Sequence, residues 1–163
     1  MTKHEATYNI RQIATIAGSL VAADGRSPLA TVMLAVGSNL IIQPGDEERS
    51  LGDFLPFRKD ILPGRMITKI QLPLLLNLSY EYIARTPADR PIVCVSVARW
   101  KSGRVRVVLG GYGDSPILAF DGRGPSGAPE AAQSAYFEAG DQWASSQYRR
   151  EMASVLTKRC LES

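Results

Sequence analysis

Thr15-Ile16-Ala17-Gly18-Ser19 is the stretch of this chain best suited to meet a ligand with its backbone. Small side chains let N–H groups approach an anion closely, and a left-handed glycine would complete an anion-binding nest. The same residues also read as a plain tight turn packed on the core, because the regular glycine spacing of a nucleotide fingerprint is absent. Asp24 stands beside Gly25-Arg26 and Asp89 beside Arg90, both in loops, where sequence alone does not pair carboxylates for acid–base work. Cys94 lies between Val93 and Val95, the setting of a small apolar filler rather than a nucleophile, and Cys160 reads the same way. His4 is the only histidine and sits in a terminal segment expected to fray, so no histidine triad, zinc site or proton shuttle is expected. Trp100 and Trp143 could each stack on a ring system, and core or rim packing would use them equally well.

Composition narrows the classes further. A chain of 163 residues suits one domain or two small modules sharing a core. Nineteen Lys+Arg against sixteen Asp+Glu leave a formal +3 with scattered basic residues, so no nucleic-acid partner is expected despite a pI near 9.0. Two distant cysteines make neither a disulfide framework nor a metal cluster. The longest apolar runs, Ile70 to Leu78 and Ile92 to Ala98, fall well short of the roughly 20 residues of a membrane span. Met1-Thr2-Lys3-His4-Glu5 opens no secretory signal, and a cytoplasmic location is the expectation.

The elements that must position these residues are partly legible. Ser27 caps and Pro28 opens a helix whose Leu29, Val32, Met33 and Val36 recur on one face, and Gly37 ends it. Asn39 to Gln43 reads as a strand, Pro44 to Glu48 as a charged turn, and Leu51 to Phe57 as a short helix or packed loop. Arg65 to Leu72, Leu78 to Ala84, Ile92 to Trp100 and Arg104 to Gly110 read as strands. The last two form a hairpin through Lys101-Ser102-Gly103, and the apolar residues on both faces of Ile92 to Trp100 predict helices packed on it. The Gly-rich stretches at 110–113 and 122–127 read as loops. Helices are predicted over Pro129 to Ala139 and Ser146 to Leu161, the second with a stripe of Tyr148, Met152, Val155, Leu156 and Arg159.

Asn9-Ile10-Arg11-Gln12-Ile13-Ala14-Thr15-Ile16-Ala17-Gly18-Ser19-Leu20 resembles the pattern I-R-N-x-A-T-I-G-G-N-L of the flavin-binding subunit or domain of the molybdenum hydroxylases, the family of xanthine dehydrogenase and aerobic carbon monoxide dehydrogenase. The resemblance continues in register through Pro28 to Val36, Leu51 to Phe54, Leu62 to Pro73 and Tyr80 to Asp89. It then runs on through Val93 to Ala98, Leu109 to Gly111 and Tyr148 to Leu161. It implies an α+β fold. Residues 1–75 would form the second FAD-binding subdomain, a small antiparallel sheet with helices. Residues 76–163 would form a domain like the CO dehydrogenase flavoprotein C-terminal one, a three-stranded antiparallel sheet packed with C-terminal helices.

The resemblance also implies FAD as cofactor, contacted by Thr15, Ile16, Ala17, Gly18 and Ser19, with Ile67 added to the set. It implies electrons received from iron-sulfur clusters and a molybdopterin centre, both held by partner subunits, and passed through FAD to an acceptor. The sequence departs from the family at Ala17 for Gly, Ser19 for Asn, Pro28 for a flavin-contacting Asp and Tyr82 for Lys, and Asp24 is the expected substitute for that Asp. Relatives also carry an FAD subdomain ahead of this stretch. The flavin site is therefore expected to be completed either within a longer subunit of which this chain is a fragment or by a separate N-terminal FAD half, along with self-association into a homo-oligomer or binding to a partner through exposed apolar surface. The alternative is a scaffold or assembly relative that has lost FAD.

Overall fold

The computed structural model describes residues 5–74 and 76–163; the terminal position of His4 lies outside them. Two short helices, α1 (Tyr8–Ile13) and α2 (Ile16–Ala22), lead into α3 (Pro28–Val36). The α3 boundaries follow the sequence rules closely. Ser27 Oγ accepts from the Ala30 N–H at 3.0 Å, Pro28 sits in the first turn, and Gly37 closes the helix at φ 76°. The expectation of one buried face is corrected: every residue of α3 except Leu29 is buried, because the helix is covered on all sides.

Strands β1 (Asn39–Gln43), β2 (Glu47–Ser50) and β3 (Met66–Gln71) form an antiparallel sheet in the order β2-β1-β3. The charged turn expected over 44–48 is shorter than the sequence suggested, since Glu47 already pairs with Ile42. Helices α4 (Leu51–Phe54) and α5 (Arg58–Ile61) bridge β2 and β3 and bury Leu51, Phe54 and Leu55.

A second antiparallel sheet runs β4 (Leu76–Ile83), β5 (Val93–Trp100), β6 (Arg104–Gly110) and β7 (Ile117–Arg123), in that order. The α+β class holds, with four strands in this sheet rather than three. The β5–β6 hairpin turns through Gly103 at φ 84°, as its sequence requires.

Strand β5 is covered on both faces. Ala98, with Val108 of β6, joins Leu34, Leu40, Ile42 and Phe54 in one apolar cluster. Val93, Val95 and Val97 join Tyr136, Ala153 and Leu156 in another. The second cluster is built on α6 (Ala128–Ala135) and α7 (Ser146–Glu162). Helix α6 stops before the expected Ala139, and the buried stripe of α7 is rotated from the expected one. It consists of Arg149, Ala153, Leu156, Thr157 and Cys160, whereas Tyr148 and Val155 are exposed. The rotation follows from Arg149, a charged residue that the fold buries completely.

Candidate functional site

Thr15 does not sit in a left-handed turn. Its backbone is extended (φ −92°, ψ 157°) and its Oγ1 accepts from the Gly18 N–H at 3.0 Å, which makes it the cap of α2. The Ser19 N–H returns to the Thr15 carbonyl at 2.9 Å. Gly18 is therefore ordinary helix and has no positive φ, so a helix start stands where the sequence offered either a nest or a plain tight turn. Gly18 still matters for space, since a Cβ there would stand 3.1 Å from Thr15 Oγ1. The N–H groups of Ile16 and Ala17 belong to the first helical turn, whose donors find no partner inside the helix. Ile13 and Ile16 flank them, 84% and 56% exposed.

The other expected site residues surround the far end of α2. Ile67 on β3 pairs with Ile42 and is buried in the same apolar cluster as Leu20 of α2, so its side chain serves packing. Asp24 follows α2 but its carboxylate is occupied. Oδ1 accepts from the Arg26 N–H at 2.8 Å, and Arg90 grips both oxygens, Nη1 to Oδ2 at 2.9 Å and Nη2 to Oδ1 at 2.5 Å. The Asp24 loop is a fastened junction between α2 and the segment before β5.

Sequence reasoning missed how that junction is held from behind. Gly25 lies against the 111–113 loop, accepting from Gly111 N–H and donating to Gly113. Arg149 Nη1 donates to the carbonyls of Ile92 and Gly111, and its Nη2 to Asp141 Oδ1 at 2.7 Å. Arg58, also buried, donates through Nη2 to the carbonyls of Ala23 at 2.7 Å and Asp114 at 2.9 Å. Arg26 and Arg85 lie 4.9 and 4.4 Å from the ring centroid of Trp143, so that tryptophan packs against two guanidinium groups. The one available signal was α7 itself, where Arg149 falls in register with Ala153, Leu156 and Cys160.

Neither cysteine is chemically poised. Burial pushes the Cys94 thiol up to about 11 and the Cys160 thiol up to about 12. Among the described residues no group of three or more His, Cys, Asp or Glu can hold a metal, and no helix is long and apolar enough to cross a membrane. Two clefts of about 660 and 430 Å³ lie elsewhere, lined by residues between Leu34 and Leu118.

Residues 1–75 match the FAD binding domain in molybdopterin dehydrogenase. Over 98% of its length the chain is 26% identical to the glyceraldehyde dehydrogenase medium chain of Sulfolobus acidocaldarius, and it spans 66% of that relative. Quinoline 2-oxidoreductase from Pseudomonas putida 86 shares the fold at a TM-score of 0.77 and 22% identity, over 98% of this chain and 63% of that one. CO dehydrogenase from Oligotropha carboxidovorans does so at 0.79 and 22% identity, over 96% and 63%. The chain thus spans less than two thirds of the length of the relatives it matches.

The start of α2 fits one side of such a cofactor. Its first-turn donors belong to exposed Ile16 and half-buried Ala17, and Ala17, Gly18 and Ser19 add little bulk beside them. Exposed Ile13 and Ile16 supply apolar surface next to those donors.

Proposed function

We propose that this chain is the FAD-binding component of a molybdenum hydroxylase-like oxidoreductase, in which the flavin's two-electron chemistry links iron-sulfur clusters to an electron acceptor. The observation that carries this reading is the Thr15-capped, solvent-facing start of α2 inside the segment that matches the FAD family. In this reading Ile16 and Ala17 donate backbone hydrogen bonds to the cofactor. Thr15 and Gly18 fix where those donors point, and Ile13 and Ile16 cover its apolar surface. Ile67 and Asp24 act from behind, Ile67 by packing against α2 and Asp24 by fastening its exit to Arg90. A division at 75/76 into a flavin module and a C-terminal module belongs to the same proposal.

One face of a large planar ligand is too little to hold it tightly, so the opposite wall comes from further polypeptide. Molybdopterin and iron-sulfur subunits are the proposed electron-donor partners. The exposed Tyr8, Ile10, Ile13 and Ile16 are the proposed contact surface for the polypeptide that completes the site. The test is an absorbance spectrum over about 350–500 nm on the purified chain, then FAD titration with and without an N-terminal flavin subdomain. Flavin bands that remain with the protein support the reading. A colourless protein that ignores FAD even with that subdomain favours a scaffold that has lost the cofactor.

A further inference from the structure

Residues 5–19 contain no buried side chain, and the backbone and capping hydrogen bonds of 6–19 close within the segment itself. Helix α1 contributes nothing to the core. Among the described residues, two attachments tie the exposed segment that carries the candidate flavin donors to the rest of the fold. At its far end Ala17 and Leu20 pack into the first apolar cluster. At its near end stands Glu5. The Glu5 carboxylate accepts from Ser27 Oγ at 2.7 Å through Oε1 and from the Leu29 N–H at 2.8 Å through Oε2.

The receiving structure is buried where the segment is exposed. Helix α3 is buried along nearly its whole length and has no acidic residue in its own first turn. A carboxylate arriving from elsewhere is the complement that its positive end and its unpaired donors favour. Ser27 is used in both directions, accepting from Ala30 N–H and donating to Glu5. The hydrogen bond that caps α3 and the one that anchors the segment thus share one hydroxyl. Charge-assisted bonds of this kind are the stronger class.

We infer that Glu5 is a positioning residue for the candidate cofactor site: its bond to the start of α3 sets the direction in which α1 and the first turn of α2 present the Ile16 and Ala17 donors. This inference rests on reading Thr15–Ser19 as the cofactor segment. Glu5 itself need not touch the ligand.

The test is amide hydrogen exchange on the full chain, wild type against Glu5→Gln, which replaces one acceptor oxygen by an NH₂ group facing donors. Exchange over residues 8–19 should become about tenfold faster, the loss expected of a charge-assisted hydrogen bond, while β5 and β6 keep wild-type protection. A general structural role would raise exchange in β5 and β6 as well. Unchanged exchange over 8–19, or a uniform rise across the molecule, would overturn the inference. Glu5→Asp keeps the charge one methylene short and should fall between the two, which preserves the test if Glu5→Gln folds poorly. FAD titration on the same variants separates the two claims. Weaker FAD binding in Glu5→Gln supports both, whereas a wild type that takes no FAD sinks the flavin reading and leaves the exchange result to decide the role of Glu5.

Discussion

Gly111 donates its backbone N–H to the carbonyl of Gly25 at 2.6 Å, and Gly25 returns a bond from its own N–H to Gly113 at 2.9 Å. The two loops touch backbone to backbone. A Cβ on Gly25 would come within 1.8 Å of the Tyr112 carbonyl oxygen, and one on Gly111 within 2.1 Å of the Ile92 carbonyl, at a residue already at φ 119°. Only glycine fits at either place.

Gly25→Ala should therefore destabilise the fold by about 3 kcal/mol, because the atom it meets is main chain and cannot rotate away. Urea denaturation gives the midpoint. A midpoint within error of wild type would mean that the loops separate freely.

Arg149→Met removes a guanidinium that serves the carbonyls of Ile92 and Gly111 and the Asp141 carboxylate. Removing this buried charge costs about 3–5 kcal/mol, since the Ile92 and Gly111 carbonyls lose their buried donor while Asp141 keeps only the Trp143 and Ala144 N–H groups. Arg149→Lys should recover only part of this, as one ammonium cannot reproduce the planar fork. Thermal unfolding of the two variants checks the order.

Acid sensitivity should map onto two carboxylates. Burial works against the charged form of Asp141, but hydrogen bonds from Trp143 N–H, Arg149 and Ala144 N–H outweigh it and hold the carboxyl below its usual range. Arg104, helped by Arg106, does the same for Asp121. A depressed folded value means stability that is present above about pH 3.9 and lost as pH falls through the folded value. Asp141→Asn should thus lower stability at neutral pH and flatten its fall below about pH 4. An unchanged pH profile would contradict this.

The thiols supply the opposite sign. Burial raises Cys94 to about 11 and Cys160 to about 12, so the folded state favours the neutral thiols. Their contribution is complete below about pH 8.5 and is lost as pH rises toward the folded values. A thiol reagent at about pH 8 should leave the native chain unlabelled and modify both cysteines only in denaturant. Rapid labelling of the native chain would overturn the buried reading.

What was legible in the sequence followed local rules. Ser27, Pro28 and Gly37 bracket α3, and Gly103 marks the turn between two β-rich runs, because capping and turn chemistry act within a few residues. Strand β7 escaped notice since Ile117 to Phe120 is a short run between Pro116 and the Gly-rich 122–127 stretch, and only pairing with β6 makes it a strand. The phase of α7 was misread because burial of Arg149 depends on carbonyls far away in sequence. At the candidate site residue type singles out the Thr15–Ser19 segment but does not give its form. Ala17-Gly18 suggests a turn, while the capping bond from Thr15 makes it the first turn of a helix. Glu5 left no signal at all, as its partners Ser27 and Leu29 lie more than 20 residues away.

The most direct test of a flavin held at the start of α2 is FAD retention by wild type and Ala17→Asp, each mixed with an N-terminal flavin subdomain. The substituted carboxylate suits a helix N-terminus but meets the edge of the first apolar cluster, so a urea midpoint checks that the variant is folded before FAD is added; it sets a negative charge where an anionic cofactor would approach. Wild type should keep its flavin bands through desalting, and Ala17→Asp should bind FAD at least about tenfold more weakly. Equal retention by both proteins, or a colourless wild type, would contradict the account.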